Sequence, residues 1–139
     1  MSTLNVNPYR DAITEAIVLA WSVPKVHYGA PRLPQAVLPY AVLRIAEVTQ
    51  EQLTVCDVEQ TYVFDCIYVG KWTDNVVLEE EKVEKANTLI AALMKGATFG
   101  DGMSPLIRLV SFEEYDDDNE PTYEVLVQFE LKSHAHLVV

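Results

Sequence analysis

The sequence predicts an α+β fold in a single domain, with a mostly antiparallel sheet and two helices packed on it, in the order α-β-β-α-β-β. Three observations lead there. A stretch from Asp74 to Gly96 carries apolar residues at spacings of three, four and seven, the signature of one helical face. Tyr123, Val125, Val127, Phe129 and Leu131 alternate with Glu124, Gln128 and Glu130, which is a half-buried strand with Leu126 as its exception. Two strand–turn–strand patterns occur, and each is preceded by a helical pattern.

Taken in order, the first helix opens at Asn7-Pro8, because Asn caps well and Pro suits the first helical position. Ile13, Ala16, Ile17, Ala20 and Trp21 form its apolar stripe, and Pro24 ends it. Residues 23–39 hold Pro24, Pro31, Pro34, Pro39 and Gly29, which excludes a regular helix or a central strand. Val26, Tyr28, Leu33, Val37 and Leu38 are too apolar for a solvated linker. The segment reads either as a binding arm or as a proline-stiffened connection lying on its own domain. Tyr40–Thr49 reads as a strand, Gln50–Gln52 as a polar turn, and Val58–Trp72 as a second strand rich in β-branched and aromatic residues. On that second strand Tyr62, Phe64, Cys66 and Tyr68 face one way. Val63, Asp65, Ile67 and Val69 face the other, and only one face is expected to be buried against a helix.

The long helix is expected to lay Val76, Val83, Ala86, Ile90, Leu93 and Ala97 on the sheet. Asp74 or Asn75 caps its start, Glu79–Glu81 and Lys95 suit its dipole, Glu81 pairs with Lys85, and Gly96 closes it. Residues 97–105 form a loop and Leu106–Phe112 a strand. An acidic turn at residues 113–121 then leads into the Tyr123–Leu131 strand, and residues 132–139 form a short tail expected to fray.

A chain of 139 residues is one domain by length and needs neither metal nor disulfide to hold a core. The formal net charge of −11 argues against general binding to nucleic-acid backbones, which requires Lys and Arg to displace counterions. No apolar run is long enough for a membrane span, and no signal-peptide pattern opens the sequence. Cys56 and Cys66 would lie about 33 Å apart on a continuous strand, so they are read as reduced thiols that behave as small hydrophobes.

Chemistry-bearing motifs are few. The acidic turn of Glu113, Glu114, Asp116, Asp117, Asp118 and Glu120 lacks the glycine and glutamate of a calcium loop, and reads as a solvated hairpin tip or an electrostatic docking surface. His134 and His136 share a strand face without a third ligand, so no metal is assigned, and no cofactor motif occurs. Asp65 is the carboxylate set within an apolar strand, either a buried acid or part of a mixed face. Nothing marks an activated nucleophile, and the sequence fits a protein that works by contact better than an enzyme.

The short opening helix, the strand PYAVLRI after a proline-rich loop, EQTYVFDCIYVG, the long helix EKVEKANTLIAALM and the closing PLIRLVSFEEYDDDNEPTYEVLVQFEL together resemble the tail terminator (tail completion) proteins of long-tailed bacteriophages. The resemblance spans nearly the whole chain and rests on element order and texture. It implies a structural protein of the virion that assembles with copies of itself into a hexameric ring. Such a ring caps the tail tube, joins a head-closure or neck protein, and lets DNA pass through without specific binding. It carries over no catalytic residue. The expected contact residues are Tyr28, Arg32, Leu33 and Trp72 on one side and Glu113, Asp116, Asp117 and Asp118 on the other. The alternatives are another phage neck protein and, in a different class, a small α+β ligand-binding domain or enzyme with a pocket near Asp65.

Overall fold

The computed structural model describes residues 7–29, 37–71, 75–95, 105–116 and 121–136. They form α1 (Asn7–Trp21), β1 (Val26–Tyr28), β2 (Tyr40–Gln52), β3 (Asp57–Lys71), α2 (Asn75–Lys95), β4 (Leu106–Asp116) and β5 (Pro121–His136). The five strands make one sheet in the order β1-β2-β3-β5-β4. All junctions are antiparallel except the one between β1 and β2. The α+β class and the two predicted hairpins are therefore present. The expected order gains one short strand, because Val26–Tyr28 pairs in parallel with Ala41–Leu43. Three residues between prolines carry too little periodicity to be read as a strand.

Helix α1 buries Ile13, Ala16, Ile17 and Trp21, each at most 4% exposed, as the stripe predicts. It ends in a left-handed cap: Ser22 has φ 51°, and its N–H donates to the Val18 carbonyl at 2.9 Å. Pro24 follows two residues later. The Trp21 Nε1–H donates to the Lys85 carbonyl at 2.8 Å, which ties the end of α1 to the middle of α2.

The face of α2 keeps the expected Ala86 and Leu93, with Ile90 packed against the same core, and departs from the expectation at Val83. Leu78, Lys82, Ala86, Leu89 and Leu93 are the buried positions, whereas Val83 is 49% exposed and Ile90 only partly covered. The apolar run at residues 76–78 and the adjacent pairs at 89–90 and 92–93 leave the phase of the stripe ambiguous, and the leucine face fills more volume than the valine face. A lysine at a stripe position masks that phase further. Here Lys82 is buried because its Nζ donates to Glu114 on β4 and, at 3.3 Å, to Glu79. Lys85 lies over the Tyr68 ring, 4.7 Å from its centroid. Val76 and Ala97, also expected on this stripe, and the flanking Asp74 and Gly96 lie outside the described side chains.

Both helices cover the sheet face that carries Tyr62, Phe64, Cys66 and Tyr68 of β3 and Tyr123, Val125, Val127, Phe129 and Leu131 of β5. The five β5 residues are at most 2% exposed, so the register is fixed as the alternation requires. The opposite face is also drawn out of water at its centre. Val63, Ile67 and Val69 are buried there, and a second cluster joins Ile67 and Val69 with Tyr40, Val42, Leu38 and Leu126. No helix packs against that cluster among the described residues.

Three boundaries move. Strand β2 continues through Gln52, and the turn is Leu53–Cys56. There the Thr54 hydroxyl oxygen accepts the Asp57 N–H at 3.0 Å, and the Leu53 N–H donates to the Asp57 carbonyl at 2.8 Å. Glu113 and Glu114 belong to β4 and not to the turn, since β4 pairs with β5 out to Asp116 opposite Pro121. The predicted tail is strand as far as His136, which pairs with Asp57, so it is held by β3. In each case polar residues line a two-sided ribbon, where polarity does not distinguish strand from turn.

Candidate functional site

The sheet face turned away from the helices carries the most concentrated polar chemistry among the described residues. Its centre is Asp65 on β3, which is 2% exposed. The Arg44 Nε–H on β2 donates to one carboxylate oxygen at 2.8 Å, and the Gln128 Nε2–H on β5 donates to the other at 2.8 Å. One acid is thus saturated from both neighbouring strands, as a buried carboxylate requires. Asp65 is structural in this setting: it is buried, as one sequence reading allowed, and fully engaged.

Two irregularities flank this ladder. Register shifts fall between Ile45 and Glu47 in β2 and between Ile107 and Leu109 in β4. Bulges of this kind increase bend and twist. On a flat sheet β2 and β4 would stand about 14 Å apart, three strand spacings. Yet Arg108 Nη1 on β4 lies 3.9 Å from Glu47 Oε2 on β2, and its Nε lies 3.9 Å from Glu130 Oε2. Side chains as long as Arg and Glu reach across that span, and beside them the face holds a recess of about 240 Å³ lined by Arg44, Ser111, Glu113, Tyr115 and Glu124 over Ile67 and Leu126. Tyr115 contacts both Glu113 and Glu124, the latter at 3.1 Å.

A second recess, of about 330 Å³, opens on the other side of β2 where β1 stops. Leu43, Ile45 and Phe64 line it, with Tyr28 and Gly29 from the end of β1 and Arg10 and Arg44 at its margin. Arg10 stacks over the Tyr28 ring at 4.9 Å, and the Tyr28 hydroxyl lies 3.0 Å from the Thr14 hydroxyl. Gly29 has φ +109°, a conformation that disfavours any side chain, and its N–H donates to the Leu43 carbonyl of β2 at 3.3 Å.

The residues expected from the sequence to make contacts divide accordingly. Tyr28, 52% exposed, stands at the β1 edge of the sheet, and Glu113, also exposed, at the β4 edge. Asp116 is the last residue of β4. Arg32, Leu33, Trp72, Asp117 and Asp118 lie outside the described residues. Of the described residues, Tyr28 and Glu113 are not brought together within one copy. Arg10, Arg44, Tyr115 and Glu124 line the two recesses without being among the contact residues expected from the sequence. The available signal was Arg44, a charged residue in an apolar strand facing another such strand that carries Asp65.

Among the described residues no cluster of three or more His, Cys, Asp or Glu side chains could hold a metal ion. Cys66 is buried in the core, and burial pushes its thiol well above the ordinary value, which suppresses the nucleophilic thiolate. His27 packs edge-on against Tyr40 with ring centroids 5.6 Å apart. No helix of the described residues is long and apolar enough to cross a membrane.

Neither the family comparison nor the search of curated proteins returned a match for the chain. Solved structures do resemble it. One is a chain from the virion of a native gene transfer agent particle, with a TM-score of 0.61 and 10% identity over 95% of this chain and 100% of that one. A second solved chain gives a TM-score of 0.52 and 16% identity over 93% of this chain and 96% of its own. At these identities the likeness is one of fold, and it extends over nearly the full length of all three chains.

Proposed function

We propose that the protein is a structural component of a virion: a tail terminator that forms a hexameric ring, caps the tail tube and joins it to the head-proximal neck. The observation that carries this reading is end-to-end similarity of fold to a chain of a gene transfer agent virion. The element order and texture of the sequence, which resemble tail terminators, point the same way. The net charge of −11 suits a ring through which DNA passes without being held. Contacts to neighbouring copies and to the tube come from residues 23–39, with Tyr28, Arg32 and Leu33, from Trp72, and from the acidic end of β4 with Glu113, Asp116, Asp117 and Asp118.

Light scattering across a concentration series tests the ring, with a hexamer or growth toward one as the expected result. Adding the protein to polymerising tail tubes tests the cap, since tubes should stop lengthening. Deleting Pro31–Gln35 together with neutralising Asp116–Asp118 should abolish ring formation and tail joining, and retention of both would refute the assignment of those contacts. A head-closure or adaptor protein would form a ring that leaves tube length unchanged.

The recess over Ile67 and Leu126 favours one other reading. Its apolar floor under converging carboxylates and hydroxyls is the form of a small-ligand pocket. That reading requires a protein that remains monomeric and binds a small cationic or hydroxylated compound in isothermal calorimetry.

A further inference from the structure

We propose that copies of this chain join by inserting the β2–β3 turn of one, with Leu53 and Val55 at its tip, into the apolar recess where β1 stops on the next. The inference rests on the ring reading and names the two surfaces that form its repeated contact.

Turn tips are ordinarily built from small and polar residues, and this one is apolar. Leu53 is 48% exposed and Val55 81% exposed, with Cys56 partly exposed beside them. The turn that presents them is held internally. The Thr54 hydroxyl accepts the N–H groups of Cys56 at 3.3 Å and Asp57 at 3.0 Å, and donates to the Asp57 carboxylate at 2.8 Å. The Leu53 and Thr54 N–H groups donate to the Asp57 carbonyl at 2.8 Å and 3.2 Å. Behind the turn, β2 and β3 pair without a break from Glu47 opposite Val63 to Gln52 opposite Val58. An apolar side chain presented on such a preformed support costs little ordering when a partner covers it.

The recess matches the tip in surface and size. It has a volume of about 330 Å³ and an apolar lining of Tyr28, Leu43, Ile45 and Phe64. An apolar cavity of about 150 Å³ already accepts benzene, so the Val55 side chain can enter with Leu53 at the mouth. Charge favours the same pairing. Residues 47–59 hold Glu47, Glu51, Asp57 and Glu59 and no Lys, Arg or His. The described lining of the recess includes Arg10 and Arg44 and no acid. Arg44 is taken up by Asp65, so the cation that meets an acidic tip is Arg10, stacked on Tyr28.

The tip cannot fill the recess of its own copy. From Ile45 to Leu53 the chain runs about 26 Å at roughly 3.3 Å per residue, and its pairing with β3 prevents it from folding back. Tip and recess are different patches of one surface, so the contact is head-to-tail and repeats from copy to copy until it closes.

Cys56 supplies the test. Ile45→Cys puts a thiol in the recess within reach of Cys56 on the incoming turn, while Cys66 stays buried. Mild oxidation of this variant should give a ladder of disulfide-linked multimers beyond the dimer on a non-reducing gel. The ladder should vanish when Cys56→Ser is added. Tyr28→Cys repeats the design from another lining residue, so a folding defect in one variant does not decide the result. Val55→Asp should raise the concentration of half-assembly in light scattering at least about tenfold, since burial of one valine is worth that much. If the unmodified chain assembles but neither cysteine variant gives a ladder past the dimer, or if Val55→Asp assembles like the unmodified chain, the contact is overturned and the ring stands. An unmodified chain that is monomeric at every concentration removes the ring and the contact together.

Discussion

Replacing Lys82 by methionine removes the charge from the buried stripe of α2 while keeping an unbranched stem of similar length. Lys82 is 4% exposed, and its ammonium is held by Glu114 and Glu79, whose side chains are 46% and 76% exposed. Burial alone would lower the tendency of this lysine to hold its proton. The hydrogen bonds to Glu114 and Glu79 outweigh that and raise it above the usual 10.5. Breaking a fully buried ion pair from one side costs about 3–5 kcal/mol. Here Glu79 remains and water reaches the site, so Glu114→Gln should cost about 1.5–3 kcal/mol, the range for a hydrogen bond to a charged group. Lys82→Met strands no buried charge, because the half-exposed Glu114 can be rehydrated. It should fall within about 1 kcal/mol of the unmodified chain, on either side. In the double variant the glutamine should add almost nothing. Urea unfolding of the two single variants and the double closes this cycle. A loss of about 3 kcal/mol or more for Lys82→Met with none for Glu114→Gln would refute the reasoning, since it would mean that the ammonium contributes net stability that its acid partners do not provide.

Phe129 is fully buried and stacks on Phe64 with centroids 5.6 Å apart, so Phe129→Ala should lose about 3–5 kcal/mol in the same assay. Asp65→Asn removes the charge that Arg44 pairs with at 2.8 Å and should cost about 1.5–3 kcal/mol, whereas Arg44, 39% exposed at its side chain, can turn to water. Stability should fall at alkaline pH. Burial raises Cys66 from 9.0 and Tyr62, Tyr68 and Tyr123 from 10.0, and the acid partners of Lys82 raise it from 10.5. The folded chain therefore binds more protons than the unfolded one once pH passes about 9, and the stabilisation present below that point is lost as pH rises. A urea midpoint equal at about pH 8 and pH 10.5 would contradict these shifts. A cysteine-reactive probe should label Cys56, which is partly exposed, well before Cys66.

The parts of the fold that the sequence made legible are those where one face is buried and the other is not. Helix α1 and the alternation of Tyr123 to Leu131 are of that kind, and both are placed correctly. Where both faces meet water, or both are covered, the pattern loses its phase. Along Gln50–Gln52 every side chain is polar and exposed, so a strand there reads as a turn. Placing the turn at Gln50–Gln52 instead of Leu53–Cys56 puts Arg44 opposite the wrong residues of β3, and the Arg44–Asp65 pair disappears from view. Lys82 hides the stripe of α2 for a different reason, since only the fold brings Glu114 from a distant strand to neutralise it. The recess over Ile67 and Leu126 depends on strand order, which has no local signature. The separation of Tyr28 and Glu113 onto opposite sheet edges likewise becomes visible only once β5 is seen to lie between β3 and β4.

The position of β3 at the centre of the sheet also governs how the chain reaches its native state during synthesis. One partner of β3 is β2, its neighbour in sequence, and the other is β5, made after α2 and β4. A nascent chain that has emerged through α2 holds a hairpin whose inner strand still lacks its second ladder and whose Tyr62, Phe64 and Cys66 lack the β5 side chains that pack against them. The central pairing, from Asp57 with His136 to Lys71 with Thr122, is non-local throughout, which slows folding and prolongs exposure of an apolar edge. The core can close only after translation has passed β5, so chaperone occupancy of the unfinished polypeptide should persist until that last strand is inserted between two already made.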